Sequence, residues 1–75
     1  MSDEPMIEIE ARGLEPPQPM VRILEALATL PPGVLLHART DRRPMHLYSL
    51  LEERGYRADT EAQADGSHLT IIRKV

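Results

Sequence analysis

The chain has 75 residues, 41% of them hydrophobic, with no Cys, Phe or Trp and a net charge of −3. That is one small domain with a thin core, too little for a buried active-site cavity. The absence of cysteine excludes disulfides, thiolate metal sites and persulfide carriers, and the mildly acidic balance makes a poor general binder of nucleic acid or anionic membrane.

Met1-Ser2-Asp3-Glu4 is acidic and polar. It lacks the positive start and apolar run of a signal peptide. Apolar runs are short throughout, as at Val34-Leu35-Leu36, so no bilayer span is expected and the chain reads as soluble and cytoplasmic. Residues 1–5 read as a frayed lead-in. Met6-Ile7-Glu8-Ile9-Glu10 alternates apolar and acidic, a strand with one wet face. Ile7 and Ile9 are expected to face the core.

Gly13 ends that region, and Glu15-Pro16-Pro17-Gln18-Pro19 follows. Proline is tolerated in a first helical turn. Met20, Ile23, Leu24, Leu27 and Leu30 then recur at helical spacing, which predicts a helix over residues 17–30. Pro31-Pro32-Gly33 stops it. Residues 34–39 form the most apolar strand, expected to be internal. Thr40 or Asp41 is placed to cap a second helix that opens at Pro44. Leu47, Leu50 and Leu51 supply its stripe, and Gly55 fits the position just past its end. Residues 56–63 read as a polar edge strand. Asp65-Gly66 is a hairpin turn signal, and 68–74 is the last strand, with Leu69 and Ile71 on one face.

The order is β-α-β-α-β-β. Strands joined through helices take parallel, right-handed crossovers, and the final hairpin is antiparallel. The expected fold is an α/β two-layer sandwich, with both helices on one face of a mixed four-stranded sheet. The whole chain is one domain, its ordered core near residues 6–74.

At this point Arg12-Gly13-Leu14-Glu15-Pro16-Pro17-Gln18-Pro19 before an amphipathic helix resembles the TusA/SirA-like family, whose hallmark is Gly-Leu-x-Cys-Pro-x-Pro. Asp41-Arg42-Arg43-Pro44-Met45-His46-Leu47, with Leu51-Glu52-Glu53-Arg54-Gly55, is closer still to a TusA-related bacterial family, domain of unknown function 2249. The resemblance covers about residues 6–74 and implies sheet order 1-2-4-3. It does not carry the chemistry. The sulfur-carrying cysteine of TusA proteins falls at Pro16, and proline holds no persulfide.

The topology puts the carboxyl ends of the first two strands and both helix starts on one edge. Arg12, Arg42 and Arg43 join that edge, with forked donors suited to carboxylates and other oxyanions, and helix starts add partial positive charge. The plainer reading pairs these arginines with Glu15, Asp41 or surface acids. Pro17, Pro19 and Pro44 remove amide donors from the same helix starts. Pro16, Pro17 and Pro19 rigidify the loop or offer an apolar knob to a partner. The candidate binding set is therefore Arg12, Glu15, Pro16, Pro17, Pro19, Asp41, Arg42, Arg43 and His46.

His46 is a possible base or ligand, yet the sequence places no carboxylate or nucleophile with it. His37 and His68 meet on the open sheet face if strands two and four are adjacent, a weak zinc argument without a third ligand. That face would also carry Leu35 and Ile72, an apolar patch fit for a partner or merely ordinary surface. Met6, Met20 and Met45 read as core fillers. No metal or cofactor is expected.

The leading expectation is a non-catalytic binding or adaptor module that engages a small anion or an acidic protein partner at the helix-start edge. The alternatives are a sulfur-metabolism or redox protein that has lost its cysteine, and an RNA-binding module. The layout of the C-terminal domain of translation initiation factor 3 is similar, but charge and the scarcity of aromatics argue against RNA. The chain is expected to be a monomer or weak homodimer.

Overall fold

The computed structural model describes residues 5–75, so the lead-in expected over 1–5 lies, but for Pro5, outside the described residues. Strand β1 (Met6–Glu10), helix α1 (Gln18–Ala28), strand β2 (Leu35–Thr40), helix α2 (Leu47–Glu53) and strands β3 (Tyr56–Ala62) and β4 (His68–Lys74) follow in that order. The sheet order is β1-β2-β4-β3; β1 and β2 are parallel, the other pairs antiparallel. The Cα envelope is 17 Å in its shortest direction, the depth of one sheet and one helical layer. The apolar strand β2 is internal, and β3 is an edge, as its polar sequence predicts.

Helix α1 forms on the expected stripe. Ile23 and Leu27 are buried, and Met20, Leu24 and Leu30 pack against the core. It ends at Thr29, before the two prolines. Helix α2 is shorter than the sequence suggests. Turns closed by Met45 N–H to the Arg43 carbonyl and by Leu47 N–H to the Pro44 carbonyl occupy its expected first turn, so the helix begins at Leu47. Gly55 follows it with φ of +83°, a left-handed position that favours glycine.

Pairing register assigns the faces. Leu36 opposes Ile72, Ala38 opposes Thr70, and Ile7 and Ile9 oppose Leu36 and Ala38. These side chains face the helices, and Leu36, Ala38, Thr70 and Ile72 are fully buried. Ile9 packs against the core, while Ile7, beneath the outer edge, stays 42% exposed.

The expected face of β4 is thus corrected by one residue. Leu69 and Ile71 look outward, opposite Arg39 and His37. The more polar set His68, Thr70 and Ile72 faces the helices. The cost of burying Thr70 is met by a hydroxyl chain: its Oγ1 lies 3.0 Å from Thr60 Oγ1, which also bonds the Tyr48 hydroxyl of α2.

The same register separates the two histidines. His37 is on the open face, and His68 opposes Thr40 on the helical face, so they do not meet. The open-face apolar strip is Met6, Leu35, Leu69 and Ile71, with Ile72 in the core. Among the described residues no helix is long and apolar enough to cross a membrane.

Candidate functional site

Because β1 and β2 are parallel, their carboxyl ends lie side by side. Glu10 pairs with Arg39, and Ala11 N–H donates to the Arg39 carbonyl at 2.8 Å. Each strand then turns out of the sheet into its helix. Between the two turning loops lies a cleft of about 660 Å3. Buried Ala11, Ile23, Thr40 and Leu47 line its depth.

Side chains of the expected set form its walls. Glu15, Pro16, Pro17 and Pro19 come from the first loop and the start of α1; Asp41, Arg42, Arg43 and His46 come from the second loop. The prolines hold the first wall apolar. The Pro16–Pro17 peptide bond is cis.

The two loops are tied together. Gly13 N–H donates to Asp41 Oδ2 at 2.7 Å, across 28 residues of chain. Gly13 holds φ at +79°, a backbone conformation that a side chain at this position would strain. Thr40 Oγ1 donates to the Arg42 carbonyl at 2.6 Å and fixes the second loop. Neither Thr40 nor Asp41 caps α2, which has no side-chain cap, because the helix begins several residues beyond their reach.

Arg12 stands apart from this cleft. Its Nε and Nη2 donate to Glu10 Oε1 and Oε2 at 2.7 and 2.9 Å, a forked pair, and Nη1 donates to Asp65 Oδ2 at 3.1 Å. Asp65 Oδ1 also accepts from the Ser67 amide and hydroxyl at 2.9 and 2.6 Å. Arg12 therefore ties the end of β1 to the β3–β4 turn. Hydrogen bonding to Arg12 holds the Glu10 carboxyl below its usual range, and the same bond raises the Arg12 guanidinium. The Ser67 bonds, reinforced by the charges of Arg12 and Arg39, hold Asp65 low.

Arg12 makes both ion pairs found among the described residues; Arg42 and Arg43, exposed at the cleft, make none there. Glu15 and Asp41 are not their partners. At the start of α1 three positions withhold a backbone donor. Gln18 N–H is bound to the Glu15 carbonyl at 2.9 Å, Pro19 has no N–H, and Val21 N–H is bound to the Pro17 carbonyl at 3.1 Å. The charged donors on the cleft wall are the side chains of Arg42 and Arg43.

His46 sits exposed just before α2. Ser49 is exposed on that helix, and the buried Ser67 hydroxyl is bound to Asp65. Among the described residues no group of three or more His, Asp or Glu is placed to hold a metal ion.

Sequence reasoning missed Leu14, Met20 and Met45 as cleft residues. Met45 is 64% exposed and Met6 46%, so neither is a core filler; Met20 packs on the core and also lines the cleft. The signal for Met45 was its spacing: two residues before Leu47, it falls off the stripe that α2 buries.

A family model described as an uncharacterized conserved protein (DUF2249) matches residues 8–74, a span that takes in both loops and every cleft residue named above. The chain belongs to the DUF2249 family. No curated protein matches it. In this DUF2249 domain the second loop supplies the arginines of the cleft and the first supplies its prolines.

Proposed function

We propose that this DUF2249 domain is a non-catalytic cytoplasmic binding module that takes an anionic ligand at the cleft between its two crossover loops. One observation carries the reading. Arg42 and Arg43 line a concavity and have no carboxylate partner among the described residues, although Arg12, just past the end of β1, has two. Arginines positioned on a cleft wall with their forks unoccupied suit carboxylate, phosphate or sulfonate groups. The volume falls in the range of small-molecule sites, about 300–1,000 Å3.

The likeness to TusA proteins belongs to this reading. Pro16, at the position of the carrier cysteine, lines the cleft and has no thiol. The edge that carries sulfur in those proteins would here be reused to hold a ligand without reacting with it. No turnover of thiosulfate or persulfide donors is expected from the isolated protein.

Amide NMR of labelled protein tests the proposal, with phosphate, sulfite, thiosulfate, nitrite, nucleotides and organic carboxylates added in turn. At least one anion is expected to give saturable shifts in residues 13–20 and 40–47, and the Arg42→Ala/Arg43→Ala variant to lose them. Equal binding by that variant would remove the proposal.

A further inference from the structure

We propose that the ligand of this cleft is an amphipathic organic monoanion, a carboxylate with an apolar body, and not an inorganic oxyanion. The inference rests on the anion-site reading above and narrows it to a chemical class.

Charge is confined to the mouth of the cleft. Arg42 and Arg43 are exposed, both on the second loop. The exposed Met45 and Pro16 share the rim with them; inward the lining is apolar, from the half-buried Leu14, Met20 and Pro44 down to Ile23 and Leu47, which are 0% and 2% exposed. A ligand that satisfies both regions has a charged head and an apolar tail. The thioethers of Met20 and Met45 are flexible and polarizable, suited to tails of varied shape.

An inorganic oxyanion fits poorly. It gives up hydration on entering and needs several donors in return. The proline at position 19 and the bonded amides of Gln18, Val21, Met45 and Leu47 withhold backbone donors that such ions use. A polyanion is also disfavoured. Glu15 on the opposite loop and Asp41 beside the arginines both line the cleft, and their negative charge repels further negative charge on the ligand.

The experiment is a titration of the full chain, followed by amide NMR, with butanoate, hexanoate and octanoate below their aggregation concentrations. Inorganic phosphate and octan-1-ol are the controls. Tail burial predicts a three- to fourfold gain in affinity per added methylene until the cleft is filled, and about a hundredfold from butanoate to octanoate. Phosphate and octan-1-ol are each expected to bind at least tenfold more weakly than octanoate. Arg42→Ala/Arg43→Ala is expected to bring octanoate down to the level of the alcohol. Met45→Gln, at an exposed position that leaves the core intact, is expected to weaken octanoate more than butanoate.

Phosphate binding as tightly as octanoate, or a series flat in chain length, would overturn the organic-ligand inference and leave the anion site standing. Octan-1-ol binding as tightly as octanoate would overturn the inference and the anion reading together. Binding of a poly-glutamate peptide at these residues with no response to octanoate would overturn the monoanion inference and leave the anion site standing, with an acidic protein partner as its occupant.

Discussion

Two adjacent isoleucines give a sharp test of the sheet register. Ile72 is 0% exposed beneath the helices, opposite Leu36, while Ile71 is only partly covered on the open face, opposite His37. Ile72→Val removes one methyl from the closed core, which costs about 1 kcal/mol. A domain of this length is stable by about 4–11 kcal/mol, so the variant stays folded. Ile72→Ala, at about 3–4 kcal/mol, consumes a large share of that and serves as the harsher case. With a urea slope of about 1 kcal/mol/M for a chain this small, Ile72→Val lowers the unfolding midpoint by about 1 M. Ile71→Val, whose methyl is already partly in water, is expected to lower it by less than about half as much. Circular dichroism against urea measures both. An equal or larger loss at Ile71 would show that the β4 face is assigned wrongly, and with it the burial of Thr70.

Thr70→Val deletes the end of the Tyr48–Thr60–Thr70 hydroxyl chain and is expected to cost about 1 kcal/mol in the same assay; a stabilised variant would show that the chain contributes nothing. Gly13→Ala forces a side chain onto a φ of +79° and is expected to cost about 1–2 kcal/mol and to shift the Asp41 resonances, because the Gly13 N–H to Asp41 bond ties the loops. Glu10 and Asp65 are held below their usual range in the folded chain, so their ionised forms favour folding. That contribution is complete above the ordinary carboxylate range and is lost as pH falls through the lowered values. Melting temperature is therefore expected to drop across the acid range, and to drop less steeply in the Glu10→Gln/Asp65→Asn variant. Arg12→Gln is expected to reduce this acid dependence while leaving anion binding at the cleft within twofold, since Arg12 lies outside it.

The architecture was legible because its signals are local. Period-two alternation in Met6–Glu10, the α1 stripe and the Pro-Pro-Gly stop each act over a few residues. Order 1-2-4-3 came from the family resemblance, and the pairing agrees with it. The face of β4 was not legible. Hydrophobicity alone favours Leu69 and Ile71 as the inner pair, and Thr70 is admitted to the core only because Thr60 and Tyr48, far away in sequence, provide partners.

The site divides along the same line. That two proline-bearing loops share an edge follows from parallel strands. Which arginine belongs to the cleft does not, because it depends on Glu10 and Asp65. Glu10 lies two residues from Arg12 and was read only as the wet side of a strand; Asp65 lies 53 residues away in a turn. The loop between β2 and α2 offered two residues as helix caps, and the structure uses both to hold the loops instead.

The most direct measurement of the central claim is the map of octanoate-induced amide shifts on the wild-type chain. A second, smaller concavity on the open sheet face, lined by Glu8, Glu10, His37, Arg39 and Leu69, serves as an internal control. Saturable shifts concentrated in residues 13–20 and 40–47, with the open-face residues silent, are the predicted result. Shifts centred on His37, Arg39 and Leu69, or none that saturate, would contradict the assignment of the loop cleft as the ligand site.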